Sequence, residues 1–470
     1  MSHQVFLYAQ FRGIERFVSG AATNGELADR SYWLALISEI APRECLTGLG
    51  LSPLLVGYSG GGEFLLVLPE PAVAAADTYL QSVRAELQSL TGSAVDLIWA
   101  STENLGPWPI IWKRLGEGLR RKKQTPLAVA GLTAFSPRGN NSNTKSVWTG
   151  VTTSLAGNVF WNAGDPLHLS ADTGDRSAPV LHGPNALGVL APPVDPASLA
   201  RTANGKRAWG LLRCDIDHAL ARLNKAESDE AFRYLAVLYK GLVVGELERV
   251  VAMPEHQGRV AVIYSGGDDF AVAGAWDALL GVATEFHRVF RLFAADLPGG
   301  VDIGEGTTLS AAITIAAQGE SLPEVWRANA ETLESVKSSG RNSIALFGRI
   351  LDWPALKDAE ALKARMRKLR ESFRCPPEVF NELEDFYGVR GAAGNLGSAR
   401  SRRRERAIDK PWRFHGRLRR LAGERSGGEF DRQWRIFMEA LIGEASGQRQ
   451  LRPAGKVALD WARLESGWRG

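Results

Sequence analysis

Two acidic segments hold the chemistry legible in this chain of 470 residues. One is Cys214-Asp215-Ile216-Asp217-His218, and the other is Tyr264-Ser265-Gly266-Gly267-Asp268-Asp269-Phe270. Apolar Trp209, Leu211 and Leu212 read as a strand that delivers Asp215 to its end, with Asp217 opening the next turn. Val260 to Ile263 and Ala271 to Ala273 flank the second segment as a β-hairpin whose glycine turn draws on positive φ values. Taken singly, an Asp-x-Asp is mostly a solvated strand end and a Gly-Gly-Asp-Asp mostly a turn. Together they place Asp215, Asp268 and Asp269 at the tips of neighbouring strands, where like charges raise one another's pKa values and a divalent cation removes the cost. Magnesium takes hard oxygen ligands, typically one or two carboxylates plus substrate phosphates. Two such ions, about 3.5–4 Å apart, serve nucleotidyl transfer by activating a hydroxyl and stabilising the leaving oxygen.

Phosphate-binding cations belong near such a centre. Lys337 and Arg341 in Lys337-Ser338-Ser339-Gly340-Arg341-Asn342 lie four apart at a helix end, so they share one side. The alternative for this pair is a dipole-favoured C-terminus with a glycine stop.

The elements around these residues occur twice. Tyr58-Ser59-Gly60-Gly61-Gly62-Glu63-Phe64 repeats the hairpin without the acidic pair, and Pro109, Trp112, Leu119 and Lys123 keep the mutual spacing of Pro323, Trp326, Leu333 and Lys337. Each copy reads as a strand (Gln4 to Ala9; Ala208 to Asp215), helical sequence, the hairpin, a helix (Val73 to Leu90; Trp276 to Phe293), a strand (Val95 to Ala100; Thr308 to Ile315) and a helix opened by proline. That order predicts an α+β fold of two tandem ferredoxin-like palm domains. Expected boundaries are 1–135 for a degenerate first palm and 207–350 for the catalytic second. An irregular inter-palm segment of turn-forming residues is expected over 136–206, with Arg138 to Asn143 a mobile loop and the rest, with Phe160, Trp161 and Leu167, able to pack on a neighbour. A C-terminal helical domain is expected over 351–470. In it, Arg400 to Arg420 holds ten Lys/Arg against two acids, interleaved with Trp412, Phe414 and His415. Such a run suits single-stranded RNA, cations over phosphates and rings under bases, unless it is a solvated basic loop. Arg402, Arg403, Arg404, Arg406, Trp412 and Arg413 are the expected contacts.

Composition bounds the rest. Apolar residues make up 45% and charged residues 23%, with a net charge of +4, so polyanion contacts must come from local clusters. The three cysteines form no Cys-x-x-Cys pair, so no zinc ribbon is expected and a reducing cytoplasm fits. No apolar run is long enough to span a membrane.

Asp215-Ile216-Asp217-His218, the Gly266-Gly267-Asp268-Asp269 hairpin and Lys337…Gly340-Arg341-Asn342 resemble the GGDEF nucleotide-cyclase palm. With Gly13-Ile14-Glu15-Arg16-Phe17, Arg30-Ser31-Tyr32-Trp33 and the Tyr58 hairpin, the tandem resembles the large subunit of type III CRISPR effector complexes over about residues 5–348. The resemblance implies synthesis of cyclic oligoadenylates from ATP when target RNA binds, with magnesium or manganese. It implies metal ligation at Asp215, Ile216, Asp268 and Asp269, and triphosphate contacts at Lys337 and Arg341. It places Ser265, Gly266 and Gly267 at the donor nucleotide and Ser59, Gly60 and Gly61 at an acceptor ATP. Expected partners are guide RNA, target RNA and the backbone, small and guide-tag-capping subunits. The chain has no His-Asp dipeptide, so no HD nuclease activity is expected. In the first palm the position of Asp215 falls near Ala9 or Gln10, and Glu63, aligned with Asp269, reads as a solvated tip. A catalytically silent RNA scaffold and a free-standing nucleotide cyclase are the alternatives.

Overall fold

The computed structural model describes residues 3–124, 146–155, 157–172, 178–182, 195–297, 306–317, 319–388, 411–423, 427–445 and 448–466. The first copy begins with β1 (Gln4–Arg12), α1 (Ile14–Ser19) and α2 (Asn24–Gly48). The hairpin β2 (Val56–Gly60) and β3 (Glu63–Pro69) follows, then α3 (Val73–Thr91), β4 (Asp96–Glu103) and α4 (Trp108–Gln124). Its sheet runs β2-β3-β1-β4, all antiparallel.

The connection carries β5 (Val159–Asn162), β6 (Asp165–Ser170) and β7 (Val180–Leu181). The second copy then runs β8 (Trp209–Ile216), α5 (Ala219–Asn224), α6 (Asp229–Gly241), β9 (Val260–Ser265), β10 (Asp269–Ala275), α7 (Trp276–Ala295), β11 (Leu309–Ile315) and α8 (Leu322–Ser338). Its inner strands, β11-β8-β10-β9, repeat the order of the first sheet, and β12 (Ser343–Leu346) and β13 (Arg349–Asp352) extend it. The repeat reaches fine detail: both hairpins slip register at the same place, around Gly57 in β2 and Ile263 in β9. These are two ferredoxin-like palms of an α+β protein.

Each palm lends a helix to the other. Thr23 caps α2 by accepting from the Glu26 amide, and the helix is then buried almost all round. It packs on β2 of its own sheet and on β9 of the second. Ser228 caps α6, which packs in turn against β2. A helix buried on nearly every side needs such a double neighbour.

The glycine turns consequently meet. A Cβ on Gly61 would lie 3.4 Å from the Gly267 amide nitrogen, and one on Gly266 would lie 3.5 Å from Gly61 Cα. Here the structure corrects an expectation. Gly61 and Gly62 have φ of 61° and 78°, but Gly266 and Gly267 are not at positive φ. Gly267 is required by space: a Cβ there would strike the Tyr58 hydroxyl.

A buried charge network closes this junction. Lys240 Nζ, from α6, donates to Glu39 Oε1 at 2.5 Å and to the Ser59 carbonyl at 2.8 Å. The Ser59 hydroxyl donates to Glu39 Oε2 at 2.7 Å, and Arg43 adds a second cation at 2.8 Å. Burial pushes the Glu39 carboxyl up, yet Lys240 and Arg43 prevail and hold it below its ordinary range.

The inter-palm segment departs from the irregular chain expected. Its described part forms a three-stranded sheet, β6-β5-β7. The buried carboxylate of Glu44 supplies the hydrogen bonds that dock it, accepting from Trp161 Nε1 at 2.8 Å and the Gly164 amide at 2.6 Å. Trp33 Nε1 donates to the Leu167 carbonyl at 3.1 Å. The loop expected at 138–143 lies outside the described residues. The C-terminal helices, from Trp353–Glu371 to Pro453–Ser466, share one continuous apolar core with the second palm.

Removing one partner of a buried ion pair strands the other, at a cost of about 3–5 kcal/mol. Glu39→Ala is therefore expected to lower unfolding stability by that order in urea titrations. Combining it with Lys240→Met should recover most of the loss.

Candidate active site

Register brings the acids together. In the antiparallel pairing of β8 with β10, Asp215 lies directly opposite Asp269, and Ser310 of β11 is its neighbour on the other side. Asp268 immediately precedes β10, and its carbonyl accepts from the Ile216 amide at 2.9 Å.

The three carboxyls are held differently. Asp215 Oδ2 accepts from Lys337 Nζ at 2.8 Å. Burial pushes its carboxyl up to about 6, with Lys337 opposing and Asp269 adding to the rise. Asp269 takes the Tyr264 hydroxyl and lines a cavity of about 230 Å³ with Ser265, Gly266, Arg213 and Glu15. Asp268 lines a second cavity of about 110 Å³ with Gly60, Gly61, Glu63 and Gly267. Burial raises the pKa of Asp269, and burial followed by the charge of Asp269 raises that of Asp268. Raised carboxyls on adjacent strands, with an ammonium already drawn onto one of them, form an oxygen donor set that suits a hard divalent cation.

Asp217 has a different task. It is 1% exposed and accepts from Thr308 Oγ1 at 2.8 Å, Ser310 Oγ at 2.7 Å and the Asn342 amide at 3.1 Å. It anchors the turn after α8, with Arg341 Nε 3.9 Å away. Lys337 and Arg341 are thus brought to the acids, one directly and one through Asp217.

The first palm holds the counterpart in neutralised form. Gln10 lies opposite Glu63 in the register, so an amide stands where the second palm has Asp215. Gln10 Nε2 donates to Glu63 Oε1 at 2.6 Å, and the Tyr8 hydroxyl donates to Oε2. Glu63 is therefore not the solvated tip expected; burial raises its pKa. Ser59, Gly60 and Gly61 sit at the palm junction, with the Ser59 hydroxyl taken by Glu39.

Of the expected RNA contacts, Arg402, Arg403, Arg404 and Arg406 lie outside the described residues. Trp412 and Arg413 fall in helix Pro411–Ala422, where the described side chains begin at Phe414. Phe414 is 1% exposed and packs edge-on to Phe386, so it is core and not a stacking platform. Arg417 and Arg419 are paired with Glu382 and Asp431, each at 2.7 Å.

Among the described residues, the three side chains whose ligand atoms close within 4.8 Å of one another are Glu86, Asp165 and His168, away from the palm acids. Sequence reasoning missed that group, and it missed Tyr264, Glu15, Arg213, Glu39 and Lys240. The Tyr264–Asp269 spacing offers a signal only once the hairpin register is known.

Residues 208–345 match the family model described as Cas10/Cmr2, second palm domain. This segment is similar to the second palm of that family. Two curated relatives, each described as a CRISPR system single-strand-specific deoxyribonuclease Cas10/Csm1 of subtype III-A, align with the chain. The Thermococcus onnurineus protein is 24% identical over 166 residues, covering 32% of this chain and 20% of that protein. The Enterococcus italicus protein is 26% identical over 183 residues, covering 37% and 22%. The alignments thus span about a fifth of the relatives' length. A Csm1–Csm4 cassette solved with one ATP superposes with a TM-score of 0.70 at 17% identity, covering 99% of this chain and 70% of that one. The Csm1–Csm4 subcomplex of the type III-A interference complex gives 0.69 at 18%, covering 98% and 70%. The likeness of fold therefore runs well beyond the Cas10-type palm itself, through both palms and into the C-terminal helices.

Because the folded pKa of Asp215 is raised above its usual 3.8 to about 6, its ionisation opposes folding. The favourable contribution is full below pH 3.8 and lost as pH rises through 6. Asp215→Asn is expected to stabilise the metal-free protein at pH 7.5 by roughly 1–2 kcal/mol, less than the full shift because Lys337 loses its partner. Melting curves at pH 7.5 and pH 4 check this; the gain should vanish at the lower pH.

Proposed function

We propose that this chain is the large subunit of a type III CRISPR effector complex and makes cyclic oligoadenylates from ATP when target RNA is bound. The observation that carries the reading is the pairing of Asp215 with Asp269 across β8 and β10, at the junction of a Cas10-type palm with a neutralised copy. Asp215, Asp268 and Asp269, with the Ile216 backbone, would hold magnesium or manganese. When bound, such ions lower the pKa of an attacking hydroxyl and offset charge on the leaving oxygens.

The chain's own groups do the positioning. Lys337 lies 2.8 Å from Asp215 and is the cation that a triphosphate would draw off it. Arg341, half-exposed beside Asp217, is the second phosphate contact. The Gly266–Gly267 turn, with Ser265, faces the donor nucleotide; the Gly266 amide itself is held by the Asp269 carbonyl at 2.7 Å. Gly60 and Gly61 bring the acceptor within reach of Asp268, since both glycines line the cavity Asp268 enters. In the reaction a 3′-hydroxyl oxygen of one ATP attacks the α-phosphorus of another. The phosphorus–oxygen bond to pyrophosphate breaks and the hydroxyl proton passes to solvent. Rate comes chiefly from orientation and charge neutralisation.

Guide RNA, target RNA and the other effector subunits are the partners this role requires, in the cytoplasm. No described helix is long and apolar enough to cross a membrane. A second reading, an RNA-binding scaffold with a silent centre, is favoured by two observations: Lys337 occupies Asp215, and Asp269 and Asp268 line different cavities.

Asp268→Ala with Asp269→Ala is expected to abolish product from labelled ATP, by at least about 1000-fold as for loss of a preorganised charge site, while leaving complex assembly intact. Wild-type complex that makes no product with target RNA and either metal would support the scaffold.

A further inference from the structure

Arg213 and Glu15 form a charged contact between the palms that the proposed chemistry leaves unused. Arg213 lies on β8 two residues before Asp215, so the two side chains project from the same face of the sheet. Its side chain is only 12% exposed, and its guanidinium lies over the Trp326 ring at 4.8 Å. Glu15, on α1 of the first palm, holds it: Arg213 Nη1 reaches Glu15 Oε1 at 3.1 Å, and Trp326 Nε1 donates to the same oxygen at 2.8 Å. Both residues line the cavity that Asp269 enters, and the Arg213 charge acts on Asp269.

The silent palm shows what the contact does. Glu63, the counterpart of Asp269, is capped by the neutral phenol of Tyr8, which occupies the place of Arg213. A cation in that place would compete with a metal ion for Asp269 unless another anion engaged it.

We propose that Glu15 of the first palm is a positioning residue that draws Arg213 off Asp269, so that the relative placement of the two palms sets the metal affinity of the active centre. This rests on reading Asp215, Asp268 and Asp269 as the metal-binding acids. Partner binding that moved α1 against the second palm would then switch the centre through charge, without displacing an acid.

The test uses the purified full chain titrated with Mn²⁺, free ion being read by electron paramagnetic resonance. Glu15→Gln retains an acceptor for Trp326 and removes only the charge; it is expected to weaken Mn²⁺ binding about fivefold to tenfold. Combining it with Arg213→Gln should restore wild-type affinity or better, whereas a merely structural role would make the losses add. Asp269→Asn serves as the control. Loss of binding in that control with Glu15→Gln within twofold of wild type overturns the inference and leaves the metal site standing. Unchanged binding in the control overturns the metal-site reading and this inference with it.

Discussion

The antiparallel register of β8 against β10 is the constraint on which everything else here depends. It sets Asp215 opposite Asp269 and puts Arg213 on the same face. Side chains alternate along a strand, so a slip of one residue would turn Asp215 into the apolar core and Cys214 out of it. The slip is prevented on both sides. Leu212, Cys214 and Ile216 are buried in one core, and Leu211 in another. Beyond the strand end, Asp217 ties β8 to β11 through Thr308 and Ser310. Asp217 is thus a brace for Asp215.

Duplication explains why the centre sits at a junction. Two copies of one fold exchange helices, α2 onto β9 and α6 onto β2, and that exchange presses their glycine turns together. The copies then diverge at single positions. Gln10 stands for Asp215 and Tyr8 for Arg213, which leaves Glu63 saturated by neutral donors. The second palm keeps its charges and balances them with Lys337 and Glu15. Apart from the backbone of the glycine turns, the asymmetry is one of electrostatics on a common strand frame.

Most of the frame was legible in the chain. Alternating apolar runs, the repeated glycine hairpin and the proline-opened helices point to two palms with their elements in the observed order along the chain. The acids and Lys337 were legible because motif and spacing place them. What could not be read was anything fixed by contact between copies. Glu39, Lys240 and Glu15 look like ordinary helix-surface charges in sequence; Lys240 and Glu15 find their carboxylate or guanidinium partners on the other palm, and Glu39 gains its second cation there. The sheet over 159–181 was hidden for a similar reason, since its short strands are stabilised by Glu44 and Trp33 of α2 and not by their own propensity. Gly267 reads as a turn residue in sequence, yet it is small because Tyr58 of the other copy fills the space.

The most direct test of the central claim is anomalous scattering at the manganese edge from crystals of the complex grown with Mn²⁺ and a non-hydrolysable ATP analogue. The account predicts density bonded to carboxylate oxygens of Asp215 and Asp269, with Lys337 displaced onto phosphate. Manganese confined to Glu86, Asp165 and His168, with Lys337 still on Asp215, would contradict it.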